Sequence, residues 1–292
     1  MVLNMRSQTG QAATDGQGSY LLKEGGLRLS ASKQSRQHGT PLVSIITVVR
    51  NGADFLEQTI RSVRDNRNGV AEYIVIDGAS NDRTLEIIRA NEDCIDYWVS
   101  EPDSGIFTAM NKGIACSTGK YLLFMNARDM LTADIGQFRD ILSQDFALVY
   151  GKANMLAPDG KLSYVKGRAL RSHRELHKGM RICHQAIFFR RDLIGNYDTT
   201  YRLLADRVKV HDIIRSHGID RTHFVDLPIA DYFEGGISRQ CFNLLKEEEF
   251  RFLRSIGRGF YALHRKLGWL FRKNMKEPWR AFMKRRHPGP LR

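Results

Sequence analysis

Apolar and polar positions alternate along the first half of the chain in blocks whose period switches between continuous, strand-like runs and helical spacing. Residues 42–49 (LVSIITVV) form an unbroken apolar, β-branched run, as a strand buried on both faces requires. Arg50, Asn51 and Gly52 then read as a turn, and Phe55, Leu56, Ile60 and Val63 recur at helical spacing. The unit repeats. Residues 73–77 (YIVID) predict a strand, GASND a loop, and residues 82–91 a helix opened by an acidic residue that suits the positive end of its dipole. A third strand follows at 96–100 (DYWVS), then a loop (EPDSG), a short helix over 106–117 stopped near Gly119, and a fourth strand at 121–126. Strands alternating with helices at this spacing predict right-handed βαβ units and a largely parallel sheet, an α/β fold.

Regularity declines after Ala133. A helix is expected over 135–142, a short strand at FALVYG, a hairpin-like turn at 157–160, and further strands at 184–191 and 223–233 flanking a helix at 203–217. These read as an α+β elaboration of the same sheet and not as an independent domain. Residues 1–40, rich in Gly, Gln, Ser and Thr without sustained period, read as a mostly disordered leader. The organisation expected is therefore leader 1–40, domain 41–240 and tail 241–292.

Composition changes this picture only at the C-terminus. With 42% hydrophobic and 26% charged residues the chain is ordinary globular protein. The net charge of +13 suggests a nucleic-acid binder until it is mapped: residues 251–292 carry +12, residues 1–40 carry +3, and the body between them −2. On a helical wheel of residues 250–271, Leu253, Ile256, Phe260, Leu263, Leu267, Leu270 and Phe271 share one face opposite Arg251, Arg254, Arg258, Arg265 and Arg272. Gly257, Gly259 and Gly268 weaken that helix by roughly 1 kcal/mol each relative to Ala. Such a tail fits an anionic membrane surface, the preferred reading; nucleic-acid binding without an accompanying module, or docking on the chain's own core, are the others. Four scattered cysteines, no apolar leader segment and no run of about 18 apolar residues point to a reduced, cytoplasmic chain that is neither exported nor membrane-spanning.

Chemistry is expected where strands end. YLLFMNARD (121–129) delivers Asn126, Arg128 and Asp129 to the carboxyl edge of the sheet, where ligands of open α/β sheets bind. Asp77 ends a strand and can accept from a nucleobase N–H or a ribose hydroxyl; Asp82 begins the next helix. Neither GxGxxG after a strand nor GxxxxGK[ST] is present, which counts against a dinucleotide-binding dehydrogenase and a P-loop enzyme. His173, His177, His211, His217 and His223 have no spacing that signals a zinc site.

Six ordered segments, TVVRNGADFLEQTIRSV, YIVIDGASNDRTLEII, SEPDSGIFTAMNKGIACSTGKYLLFMNARD, HQAIFF, YRLLADRVKV and FEGGIS, resemble the GT-A glycosyltransferases of family 2 over about residues 41–238. The resemblance is especially to bacterial enzymes that build exopolysaccharides such as colanic acid. It implies a GT-A fold with a C-terminal helical basic tail, and a nucleotide-sugar donor. Asp77 would lie near the base or ribose with Asp82 supporting that loop, Asp103, Asn111 and Lys112 would line the donor cleft, Asn51 and Asn126 would join them in binding the donor, and His184 and Gln185 would face the acceptor or the leaving phosphates. Asp206 matches the family's general base, although its usual acidic companion is Val208 here.

In that family the fourth strand usually ends in Asn-Ala-Asp-Asp, whose acids hold a divalent metal. Here Arg128 replaces the first acid and leaves Asp129. Either Mg²⁺ or Mn²⁺ sits on Asp129 alone, or Arg128 pairs the diphosphate directly, and weak metal dependence is the preferred expectation. The reading is a transferase acting from the inner face of a bacterial inner membrane on a lipid-linked oligosaccharide, with no nucleic-acid partner. The alternative is a non-catalytic nucleotide-sugar-binding or scaffold subunit of a polysaccharide assembly complex.

Overall fold

The computed structural model describes residues 22–30, 40–235, 241–267 and 269 of the 292-residue chain. At its centre is β2 (Val43–Val49), every residue of which is buried. Its side chains alternate between two cores: Val43, Ile45 and Val49 face one, Ile46 and Val48 the other. Two buried faces explain the unbroken apolar run. Helix α2 (Leu56–Asn66) covers the first face with Leu56, Ile60 and Val63, and α4 (Ile106–Cys116) covers the second with Phe107, Ala109 and Met110. A methyl group on Gly113 would lie 2.4 Å from Ile46 Cγ2, so α4 packs this closely only because residue 113 has no side chain.

Strand β2 pairs in parallel with β3 (Ala71–Asp77) on one side and β5 (Tyr121–Phe124) on the other, and β3 pairs in parallel with β4 (Tyr97–Ser100). Val49, Asp77 and Ser100 are consecutive partners across that register. The loops after the four strands therefore leave from one edge. Helix α3 (Thr84–Ala90) connects β3 towards β4. Beyond β5 the sheet becomes mixed, running through β9 (Ile187–Arg190), β7 (Leu148–Leu156) and β10 (Thr222–Phe233) to β6 (Met130–Leu131), with β8 (Leu162–Lys166) hairpinned onto β7. Among the described residues a single ten-stranded sheet thus carries both halves of the chain.

Several local expectations change. The leader is not featureless at 22–30: β1 (Lys23–Gly25) extends the sheet antiparallel to β4, and a single turn, α1 (Leu27–Ser30), follows it. Arg28 fixes this segment by donating to Cys116 O (2.7 Å) and pairing with the buried Glu72. Burial would raise the Glu72 carboxyl, but the Ser44 hydroxyl, the Arg28 charge and the Thr118 donors hold it below the usual carboxylate range. The rest of the leader lies outside the described residues. The helix at 135–142 is a 3₁₀ turn (Ile135–Phe138) followed by α5 (Arg139–Ser143). The strand expected from residue 184 begins at Ile187, because His184–Ala186 form a 3₁₀ turn, and it runs into a one-turn helix, α6 (Arg191–Ile194). Helix α7 (Ala205–His217) lies where expected.

The tail departs most. Helix α8 (Phe242–Ser255) ends at Gly257, which takes φ = +75° while Arg258 N donates to Leu253 O (2.9 Å) and Gly257 N to Arg254 O (3.1 Å). This is a glycine-terminated helix stop, and residues 259–267 form a second helical stretch. Phe252, Leu253 and Ala262 are buried in the core shared with α7. The boundary expected at 240/241 therefore does not separate a tail from a body, and docking on the chain's own core holds for α8. Phe260, Leu263 and Leu267 remain exposed. Leu270, Phe271 and Arg272 lie outside the described residues.

Candidate active site

Two loops at the carboxyl edge are tied together by side-chain to backbone hydrogen bonds. Asn51 N donates to Ser80 Oγ (2.7 Å), Asn81 N to Asn51 Oδ1 (3.0 Å), Gly52 N to Thr84 Oγ1 (2.9 Å) and Ala53 N to Asp82 Oδ2 (3.1 Å). Asn51 holds φ = +51°, a backbone state that Asn tolerates better than most residues. Asp77 lies beneath this loop pair, fully buried, and accepts from Ser80 N (3.1 Å) and from the hydroxyls of Ser80 and Ser100. It shapes the loop from below. Asp82 is exposed; burial acts to raise its carboxyl, yet the donors of Thr84 and Ala53 hold it below its ordinary value. Asp103 accepts from Gly105 N (3.0 Å), and a methyl group at Gly78 would come within 2.3 Å of its Oδ2.

Asn111 and Lys112 are engaged by the protein itself. The Asn111 carboxamide makes both of its bonds to the Tyr197 backbone, accepting from N (2.7 Å) and donating to O (3.0 Å). Lys112 pairs with Glu101 (2.9 Å) and donates to Pro102 O (2.9 Å). Each thus ties α4 to a different neighbouring stretch, Asn111 to Tyr197 and Lys112 to the 101–102 loop, which a motif match does not reveal.

The end of β5 opens into a cleft of about 690 Å³ lined by Asn126, Arg128, Asp129, His184, Gln185 and Asp206. Thr59 anchors the turn, since Arg128 N donates to its Oγ1 (3.0 Å) and that hydroxyl donates to Asp129 O (2.9 Å). Arg128 has φ = +91°, and its guanidinium lies over the rings of Phe55 (4.9 Å) and Phe233 (5.5 Å). Asp129 is buried and accepts from Gln185 Nε2 (2.8 Å) and Phe233 N (3.3 Å). Burial pushes its carboxyl up to about 7, against those two donors and the Arg128 charge. Asn126 Oδ1 is buried with no hydrogen-bond partner among the described residues.

Beside the β5 end, His184 stacks on Phe124 (5.1 Å between centroids) and shares a 2.8 Å hydrogen bond with Tyr197 OH. Burial holds its imidazole below the usual range, and the Asp206 charge opposes this. Asp206 occupies the first turn of α7. Glu248 of α8 fixes the approach to that turn by accepting from Arg202 N (2.7 Å) and Leu203 N (3.0 Å).

The sequence profile of Glycosyl transferase family 2 matches residues 44–196, just over half of the chain. The PGL/p-HBAD biosynthesis glycosyltransferase of Mycobacterium bovis is 32% identical over 231 residues, 72% of this chain and 82% of that protein. The chain belongs to glycosyl transferase family 2. An uncharacterised glycosyltransferase of Mycobacterium tuberculosis is 35% identical to this family 2 member over 179 residues, 57% of the chain. The match spans 66% of that relative, just under two thirds of its length. The mannosyltransferase PcManGT of Pyrobaculum calidifontis, solved with GDP-Man and Mn²⁺, superposes with a TM-score of 0.55 at 15% identity, over 75% of this chain and 65% of that one. The family 2 member therefore has the GT-A fold.

Sequence reasoning missed the cations of the cleft. Lys166, Lys178, Arg202, Arg207, Lys246 and Arg265 also line it. They come from β8, the 3₁₀ stretch His173–Lys178, the loop before α7, α7 itself and the C-terminal helices, and no motif spacing links them. Glu249 organises three of them, accepting from Arg207 (3.0 Å), Lys246 (2.9 Å) and Arg265 (3.2 Å).

The oxygens at the end of β5 offer a divalent cation little. Both Asp129 oxygens already accept from protein donors, and Asn126 Oδ1 is a buried oxygen without a partner among the described residues. One carboxylate and one amide oxygen suit a hard ion that arrives with a diphosphate and keeps its water, not one held tightly by the protein alone.

Proposed function

We propose that this chain transfers a sugar from a nucleotide-sugar donor to a hydroxyl of a lipid-linked oligosaccharide, with inversion at the anomeric carbon, in bacterial exopolysaccharide assembly. The observation that carries the reading is the meeting, in one cleft, of the β5 end (Asn126, Arg128, Asp129), the His184–Gln185 turn and the first turn of α7 bearing Asp206. In the proposed step the acceptor oxygen bonds to the anomeric carbon and its proton passes to an Asp206 carboxylate oxygen. The bond to the diphosphate breaks, and its electron pair leaves with the phosphate. Negative charge therefore grows where Arg128 and the basic rim can offset it. A divalent cation brought with the donor would add positive charge near Asp129 and Asn126, with Arg128 keeping the dependence on it weak.

The glycosyltransferase activity of the relatives and the GDP-Man complex of the structural neighbour support a nucleotide-sugar donor. Among the described residues no helix is long and apolar enough to cross a membrane. The exposed Phe260, Leu263 and Leu267 beside Arg258 and Lys266 give a peripheral contact with an anionic membrane its physical basis. The test is a thermal-shift screen with UDP-, GDP- and dTDP-sugars, followed by transfer assays on Asp206→Asn. The variant is expected to bind the stabilising donor as the parent does and to lose transfer by about 10²-fold or more. Undiminished transfer would remove Asp206 from the reaction.

A further inference from the structure

Three histidines that sequence spacing sets apart converge behind the cleft wall. His173 and His177 lie on the 3₁₀ stretch His173–Lys178 and His211 on α7. One ring nitrogen of each lies within 4.8 Å of the others, and the ring centroids are 5.3 to 6.0 Å apart. Sequence spacing carries no signal of this cluster, because the third partner lies 34 residues beyond the second, on another element.

We propose that His173, His177 and His211 bind one transition-metal ion, Zn²⁺ being the best fit, through three imidazole nitrogens with a fourth position open. The Nε2 atoms of His177 and His211 are 3.4 Å apart. Two nitrogens at 2.0–2.1 Å from a tetrahedral ion lie about 3.3–3.4 Å apart, so this pair already has the spacing of a shared ion. Asp212 Oδ1 is 3.1 Å from His211 Nδ1. A carboxylate there keeps the proton on Nδ1 and leaves the Nε2 lone pair facing the cluster, the arrangement that orients metal-bound histidines. His177 and His211 are buried, and Phe252 packs edge-on against His211 (5.1 Å), which restricts both rings to this geometry.

The surroundings select the kind of ion. Arg174, Arg215 and Arg258 place positive charge near His173 or His177. Such a field opposes hard cations held mainly by charge, and the set contains no oxygen ligand for Mg²⁺ or Ca²⁺. It tolerates an ion bound through imidazole, and favours an anionic fourth ligand such as hydroxide or chloride. The ion would tie the stretch leading to the cleft residues Lys178–Met180 to the helix that presents Asp206.

The test uses tag-free full-length protein, stripped with EDTA and titrated with Co²⁺ and then Zn²⁺. One equivalent of Co²⁺ is expected to give the intense visible bands of a four-coordinate complex, to be displaced by Zn²⁺, and to raise the melting temperature. Asp212→Asn should weaken Zn²⁺ binding about 10- to 100-fold, and His173→Ala and His211→Ala by more. His173 is partly exposed, so its variant stays informative if the buried His211→Ala fails to fold. Absence of a bound equivalent, or one that survives His173→Ala but is lost in Asp129→Asn, would overturn the proposal.

Discussion

Gln185 donates from Nε2 to Asp129 Oδ2 at 2.8 Å, so the turn before β9 supports the carboxylate at the end of β5. The support is incomplete, because burial still places the Asp129 carboxyl near 7, well above its ordinary value of 3.8. The folded state thus binds this proton more tightly than the unfolded chain. Stability from this group is full below about pH 4 and falls as pH rises towards 7, by an amount on the order of a few kcal/mol. Asp129→Asn removes the titration. Urea melts of parent and variant from pH 5 to 8 should diverge in favour of the variant as pH rises; parallel curves would contradict the buried-acid assignment.

Arg128 occupies a left-handed backbone conformation that costs a non-glycine residue about 1–2 kcal/mol. Arg128→Gly relieves that strain and loses two ring contacts of about 0.5–1 kcal/mol each, so its net stability should change little. Transfer should fall at least 10-fold and become steeply dependent on added Mn²⁺, while the parent retains activity in EDTA. Complete loss of parent activity in EDTA would show that Arg128 does not stand in for the missing acid.

The Arg28–Glu72 pair gives a stability test at the opposite edge of the sheet. Glu72 is buried and Arg28 is 29% exposed, so Arg28→Ala should cost about 1–3 kcal/mol, below the range for a fully buried pair. Because the Glu72 carboxyl is depressed in the fold, its contribution is present above about pH 4.5 and is lost as pH falls further. The gap between parent and variant in denaturant melts should therefore narrow under acid.

Membrane contact is best tested on Phe260, Leu263 and Leu267. Phe260 is 94% exposed, whereas Phe252 and Leu253 belong to the core, so removing everything after residue 250 would damage the body as well as the proposed contact. Serine at the three exposed positions should lower binding to anionic liposomes about 10-fold or more and leave the melting temperature nearly unchanged. Equal flotation of parent and triple variant would refute that surface as the anchor.

The parallel half of the fold was legible because each strand in it is buried on both faces and each helix shows one apolar stripe. Asn126, Arg128, Asp129, His184, Gln185 and Asp206 were legible as ordered segments, and the fold brings all six to one cleft. Asn111 and Lys112 belong to the same segments, and their contacts with Tyr197, Glu101 and Pro102 were not legible, since a motif fixes order along the chain and not the partners of a side chain. The stop at Gly257 was hidden because a glycine's modest helix cost looks the same on a wheel whether the helix continues or turns. The converging histidines and the basic rim depend on contacts between distant segments and left no local signal.

Glu248 and Glu249 have a practical consequence for anyone trimming this chain. A fragment cut where the family profile ends, at residue 196, would lack α7 and with it Asp206. One cut at 240 would keep Asp206 but leave Arg202 N, Leu203 N and the Arg207 guanidinium without their acidic acceptors. The smallest piece expected to fold around a complete cleft therefore extends to residue 267, some 70 residues past the recognisable domain.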